Sequence, residues 1–227
     1  MRLGTAPSNG RPDTQRLAGW LVLVGILILL AYVSRISAGK PDPDVLYRWS
    51  TAVGGLVQDA VVLAVVLAIA WRVRPALALR PPRAFWWAVL FVAIAIVAIF
   101  VFEFAYTAIV HPGNEQGLTP DGWKPAHAAA YVANAIVICT WVPFVEELTF
   151  RGLGYSLLEP FGRGWAILGV GLLFGLAHGL VLELPVIVVF GCALAWVRSM
   201  TDSVLPGMVA HSLFNAVALI AAVTIAH

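Results

Sequence analysis

Seven mostly apolar stretches, most close to twenty residues long, dominate the sequence: Leu17–Ser37, Thr51–Trp71, Ala84–Val110, Pro125–Leu158, Trp165–Leu182, Leu184–Met200 and Leu205–Ala226. About twenty such residues wound as a helix match the hydrocarbon thickness of a bilayer. A backbone in hydrocarbon has no water to bond to, and a helix satisfies its polar groups within itself. The expectation is therefore an all-α polytopic transmembrane bundle of about seven spans. Composition agrees: 61% of the 227 residues are hydrophobic and 11% are charged, against about 25% charged in soluble domains. Mean hydropathy is +0.90.

The fourth stretch is longer than one span and contains Pro143, which predicts a kink or an extension past the interface. The sixth is short enough to be tilted or partly re-entrant. Tryptophans at 20, 49, 71, 86, 87, 123 and 165 stand near the ends of stretches, as interfacial aromatics do. The N-terminus has Arg2, Arg11 and Arg16 before an apolar run that exceeds a signal peptide's core, so it reads as an uncleaved first span. The expected division is a disordered tail over 1–16, N-terminal spans over 17–124 and a C-terminal helical core over 125–227.

Arg2, Arg11, Arg16, Arg72, Arg74, Arg80, Arg83, Arg163 and Arg198 fall on one side of alternating spans. That side should be cytoplasmic, with the N-terminus there and the plasma membrane as the expected location. The loop with Arg35, Lys40 and Arg48 against Asp42 and Asp44 fits less well. A net charge of +2 gives no reason to expect nucleic acid. Cys139 and Cys192 lie in apolar stretches without a C-x-x-C motif and read as small hydrophobes. His111 and His127 flank an outer loop and are expected to be solvated.

Chemistry concentrates in Pro143-Phe144-Val145-Glu146-Glu147-Leu148-Thr149-Phe150-Arg151. A charge at the centre of a membrane helix costs roughly 2.5–3.5 kcal/mol on insertion scales, so three together need a reason. Residues four apart share a helix face, which pairs Glu147 with Arg151 as a structural ion pair. Glu146 points about 100° away, toward the bundle interior. Phe174 and His178, then His211 and Asn215, form two more four-residue pairs, with a small-residue stripe of Gly171, Gly175 and Gly179 beside His178. Glu146 and His178 each lie sixteen residues from Gly162, whereas His211 is only nine past Asp202, a mismatch in depth unless the turns differ. Glu103, between Phe102 and Phe104, is a further charge that would face a cavity or snorkel outward.

Glu-Glu-x-x-x-Arg, Phe-x-x-x-His and His-x-x-x-Asn, in this order on apolar helices, resemble the CAAX protease and bacteriocin-processing (CPBP, or Abi) family of intramembrane endopeptidases. The likeness runs from about Ala130 to Val223. It implies that Glu146 and His178 hold and deprotonate an attacking water, while His211 and Asn215 steady the oxyanion. Glu147, Arg151 and Phe174 would support them. A membrane-associated peptide or protein would be the substrate, prenylated CAAX-type or other, with membrane lipid as a further partner.

The chemistry fits these residue types. Desolvation makes a carboxylate a better base, and donors aimed at developing charge typically contribute about 10²–10³ in rate. No cofactor is required, although Glu146, His178 and His211 plus water would also suit a divalent metal such as zinc. His-Glu-x-x-His and Gly-x-Ser-x-Gly are absent. An aspartyl dyad is disfavoured because Asp59 and Asp202 read as near span ends. Two other functions stay open: a non-catalytic immunity or scaffold protein that keeps the fold, and a small transporter using Glu146 and Glu103, against which the lack of an inverted repeat argues.

Overall fold

The computed structural model describes residues 13–39, 42–113, 115–120 and 122–224. Seven helical rods account for most of them: α1 (Thr14–Ala38), α2 (Trp49–Ile69), α3 (Phe85–Val110), α4 (Pro125–Phe161), α5 (Arg163–Leu176), α6 (Leu184–Thr201) and α7 (Leu205–Thr224). Six of these are long and apolar enough to cross a membrane, and the chain is an integral multi-pass membrane protein. The exception is α5. Its 14 residues extend about 21 Å at roughly 1.5 Å per residue, short of the ~30 Å hydrocarbon core. The seventh expected span, Trp165–Leu182, thus stops at Leu176, where Ala177, His178 and Gly179 form a turn. Gly179 takes φ +66° there, and a Cβ on it would lie 2.9 Å from the Ala31 carbonyl carbon.

Helix α1 starts at Thr14, with the Asp13 carboxylate capping the Arg16 N–H. It therefore begins inside the expected tail, whose residues 1–12 lie outside the described residues. Trp20 is not interfacial. It is fully buried, and its Nε1 donates to the Thr149 carbonyl at 2.9 Å. The other six tryptophans of that set are exposed.

Helix α4 runs 37 residues without a break. Instead of a sharp kink at Pro143 it holds two wide π segments, Val137–Trp141 and Glu147–Gly154. Pro143 falls in the first turn after the earlier one, where its missing N–H is accommodated by the widened winding. All eight residues of the second segment are buried, so α4 is the central rod around which the others stand. Helices α5 and α6 form a closely packed hairpin, and α3 lies against α6. The approach is tight where Gly191 meets Gly171, since a Cβ on Gly191 would stand 2.9 Å from the Gly171 Cα. This is the expected small-residue stripe at work.

Polar contacts gather at the two ends of the bundle. At one end Arg16 donates to the Ile69 carbonyl, Ser156 to Ala76, Arg163 to Ser199, and Arg80, Arg83 and Arg198 all pair with Asp202. Asp202 occupies the left-handed C-cap of α6. Burial alone would push its carboxyl up, but Arg80, Arg198 and Arg83 outweigh burial and hold it below the usual carboxylate range. A depressed pKa gives stability that is present above the ordinary aspartate value and disappears as pH falls through the lowered one. Asp202→Asn should therefore lower the melting temperature in detergent near neutral pH, by the equivalent of about 1 kcal/mol at this partly exposed site. The gap from wild type should close below about pH 4.

At the opposite end Arg35 pairs with Glu115, Arg48 with Asp42 and Lys124 with Asp44. Arg35 and Arg48, two of the three cations that fitted the charge pattern poorly, are thus neutralised by nearby acids, and the third, Lys40, lies outside the described residues. The Glu115 carboxylate also accepts the N–H groups of Val181 (3.0 Å) and Glu183 (2.7 Å), tying the loop before α4 to the α5–α6 turn.

Candidate active site

The second π segment of α4 carries Glu147 and Arg151, both with fully buried side chains, paired at 2.9 Å. Arg151 stands over the Phe174 ring, its Cζ 4.1 Å from the ring centroid, and donates to the Gly191 carbonyl at 3.3 Å. Phe174 is thereby the shared wall of the site, with the His178 and His211 rings at centroid distances of 4.6 and 6.0 Å. Glu147 does more than hold Arg151. Its Oε1 also accepts from His211 Nδ1 at 3.2 Å.

Glu146 is the last residue before that segment, and its side chain is 24% exposed where that of Glu147 is 0% exposed. Its Oε2 stands 3.6 Å from His211 Nε2. The two glutamates were expected to have separate partners. In the structure one imidazole spans both, with a nitrogen toward each. The depth mismatch of His211 disappears because the Asp202 turn sits deeper in the bundle than the Gly162 turn. Val204 N–H donates to the Ala78 carbonyl, and the adjacent Leu77 backbone abuts Gly152, where a Cβ would come within 2.9 Å of its oxygen. Nine residues from that deeper level bring His211 to the glutamates.

His178 lies in the turn just after α5 and not on the helix itself. Its Nδ1 meets the Phe174 carbonyl at 2.8 Å. A carbonyl only accepts, so Nδ1 carries the proton and Nε2 has the lone pair. Asn215 donates one amide hydrogen to the Ile138 carbonyl at 2.8 Å, which leaves its second hydrogen for other use. Ile138 belongs to the first π segment of α4.

Glu146, His178, His211, Asn215 and Phe174 all line one cavity of about 340 Å³. Glu147 and Arg151 stand behind it. Glu103 and Gln116 also reach its wall. Glu103 therefore faces a cavity, as one of its two sequence readings held. Gln116 carried no sequence signal, because it comes from a loop outside the motifs. Among the described residues no three His, Cys, Asp or Glu side chains converge as metal ligands would.

The sequence also misjudged Asp59. It sits at the midpoint of α2, not near its end, and one carboxylate oxygen is buried without a hydrogen bond. Asp202, by contrast, is held in the arginine layer, so the two aspartates form no dyad. A larger cavity, about 870 Å³, borders Trp71, Arg74 and Arg80 at the arginine end and has no carboxylate or imidazole in its lining.

Gly207 on α7 fixes the spacing behind the site. A Cβ there would lie 2.8 Å from Glu147 Oε2 and 3.6 Å from its Cδ. Alanine would gain about 1 kcal/mol of helix propensity, but overpacking typically costs about 1–3 kcal/mol, and Glu147 is held on two sides. Gly207→Ala should therefore destabilise modestly and turn His211 off its position. A thermal unfolding curve beside that of the wild type checks the loss of stability.

Residues 127–217 match the family described as "Type II CAAX prenyl endopeptidase Rce1-like". No curated protein and no solved structure gives a significant match. The matched segment runs from the start of α4 into α7 and contains every residue of the three motifs. The segment 127–217 is thus similar to the CAAX prenyl endopeptidase family, and the match covers the part of the chain that builds the cavity.

Proposed function

We propose that the chain is an intramembrane endopeptidase that hydrolyses peptide bonds with a water activated by Glu146 and His178. The observation that carries this reading is the single cavity bordered by Glu146, His178, His211 and Asn215. The water oxygen attacks the scissile carbonyl carbon while its proton passes to the Glu146 carboxylate, with the His178 Nε2 lone pair accepting from the same water. The carbonyl π electrons move onto oxygen, and the second Asn215 amide hydrogen donates to that oxyanion. His211 turns Nδ1 to Glu147 and Nε2 toward Glu146 at the same cavity wall, and Nε2 would be the second donor to that oxyanion when it carries a proton. The intermediate collapses as the C–N bond breaks, and the proton held by Glu146 goes to the departing amine. Glu147 and Arg151 hold His211 and Phe174 in place, so their role is positioning. No step uses a cofactor.

The substrate class is a membrane-embedded or membrane-associated peptide, with prenylated CAAX-type tails as one candidate. The arginine-rich end faces the cytoplasm by the charge rule, which puts the N-terminus there and the cavity toward the opposite half of the bilayer. The plasma membrane is the proposed location. Membrane proteins from cells with the wild-type chain, compared by mass spectrometry with those from Glu146→Ala cells, should contain new C-termini dependent on Glu146. Identical sets of termini would instead favour a non-catalytic role for the same fold.

A further inference from the structure

The cavity at Glu146 continues into a second one of about 250 Å³, and the two share Glu103, Gln116, Leu118 and Phe214 among their walls. The second space is otherwise bordered by apolar side chains such as Val186 and Ala222, with Thr107, Thr119 and Glu183. Glu103 is the carboxylate common to both cavities. Its Oε2 is buried and accepts no hydrogen bond. The nearby Thr107 hydroxyl donates to the Glu103 backbone carbonyl at 2.7 Å, not to the carboxylate. Among the described residues no cation pairs with Glu103. Arg35 is held by Glu115 at the neighbouring loop, and Arg151 by Glu147 behind Phe174.

An uncompensated carboxylate within a membrane helix is unfavourable, and the mechanism above gives this one no task. Its complement is a group with several donors and a positive charge. Lysine and arginine side chains offer that at the end of an apolar stem, which suits walls made of Val186, Ile187, Phe214 and Ala218. We infer that the second cavity is a substrate subsite for a basic side chain close to the scissile bond, with Glu103 as its counter-ion. The inference rests on the peptidase reading and adds a specificity element to it.

The test uses the full chain in detergent and a library of apolar peptides in which one position at a time is lysine, arginine, glutamine or norleucine. With the wild type, kcat/KM should favour lysine or arginine over norleucine at one fixed distance from the cut. Glu103→Gln should reduce that ratio about tenfold, and Glu103→Asp, which keeps the charge, should retain much of it. A structural role would lower cleavage of all members together and leave the ratio untouched. An unchanged ratio, or no positional preference in the wild type, overturns the inference. If the wild type cleaves no member, the peptidase reading has failed separately. Binding of the same library to the Glu146→Ala protein then decides the subsite. Tighter binding of basic members that is lost on adding Glu103→Gln upholds it, and equal binding of all members overturns it.

Discussion

Glu146→Gln is expected to reduce peptide cleavage by about 10³-fold or more while the purified protein keeps its melting temperature to within a few degrees. The amide matches the carboxylate in shape but cannot accept the proton of water, and positioned general bases typically contribute 10²–10⁴ in rate. Stability should change little because Glu146 is the partly exposed member of the glutamate pair, and its Oε2 makes no hydrogen bond. Its nearest partner, His211, keeps its contact to Glu147 in the variant. Initial rates on a reconstituted peptide substrate, beside a thermal unfolding curve, check both halves. Wild-type rates in the variant would remove Glu146 from the chemistry, and gross unfolding would recast it as structural.

The second large effect concerns Glu147 and Arg151 and has the opposite signature. Both side chains are fully buried, so removing either leaves an uncompensated charge in the centre of the bundle. Breaking such a pair costs about 3–5 kcal/mol. Arg151→Met should therefore lower the melting temperature sharply, and Glu147→Leu similarly. The double replacement by apolar residues should recover much of that loss, because two well-packed hydrophobic residues are often as stable as a buried ion pair. Activity should not recover with it. Without Glu147 the His211 Nδ1 loses its acceptor, and without Arg151 the Phe174 ring loses the cation lying on it. Melting temperature and kcat would thus separate in the double variant. If both recover together, Glu147 and Arg151 do no positioning.

Most of the bundle was legible because hydropathy and span length report the same constraint. Helix α3 begins one residue from its expected start and ends where expected, and α2 is shifted by two residues at each end. The fifth stretch misled because apolar residues continue through Val181 and Leu182 after the helix has stopped. The signal for the stop was present in Gly179, a common helix terminator, but it was read as part of a packing stripe. Gly179 meets Ala31 of α1, while Gly171 serves the α5–α6 contact.

At the site, residue identities were legible and the wiring was not. Regular helical spacing paired Glu147 with Arg151 and turned Glu146 elsewhere. The π winding of α4 cannot be read from such spacing, and His211 reaches the two glutamates at the junction where it begins. Trp20 looked interfacial from its place near a span end. Its indole N–H instead finds the Thr149 carbonyl, within that same π segment. Asp59 was misread as near a span end although it is the ninth residue of the expected span Thr51–Trp71, and α2, from Trp49 to Ile69, puts it at the midpoint. Gln116 reaches the cavity from a loop, and helical periodicity says nothing about where a loop folds back.

The most direct measurement is a single turnover of the purified chain on a membrane peptide in ¹⁸O-water, with products and protein both weighed by mass spectrometry. Attack by water held at Glu146 and His178 requires one heavy oxygen in the new C-terminal carboxylate, a free amine on the other fragment, no acyl adduct on the protein at any time, and no product with Glu146→Gln. A trapped acyl-protein adduct, or cleavage that persists without the Glu146 carboxylate, would contradict it.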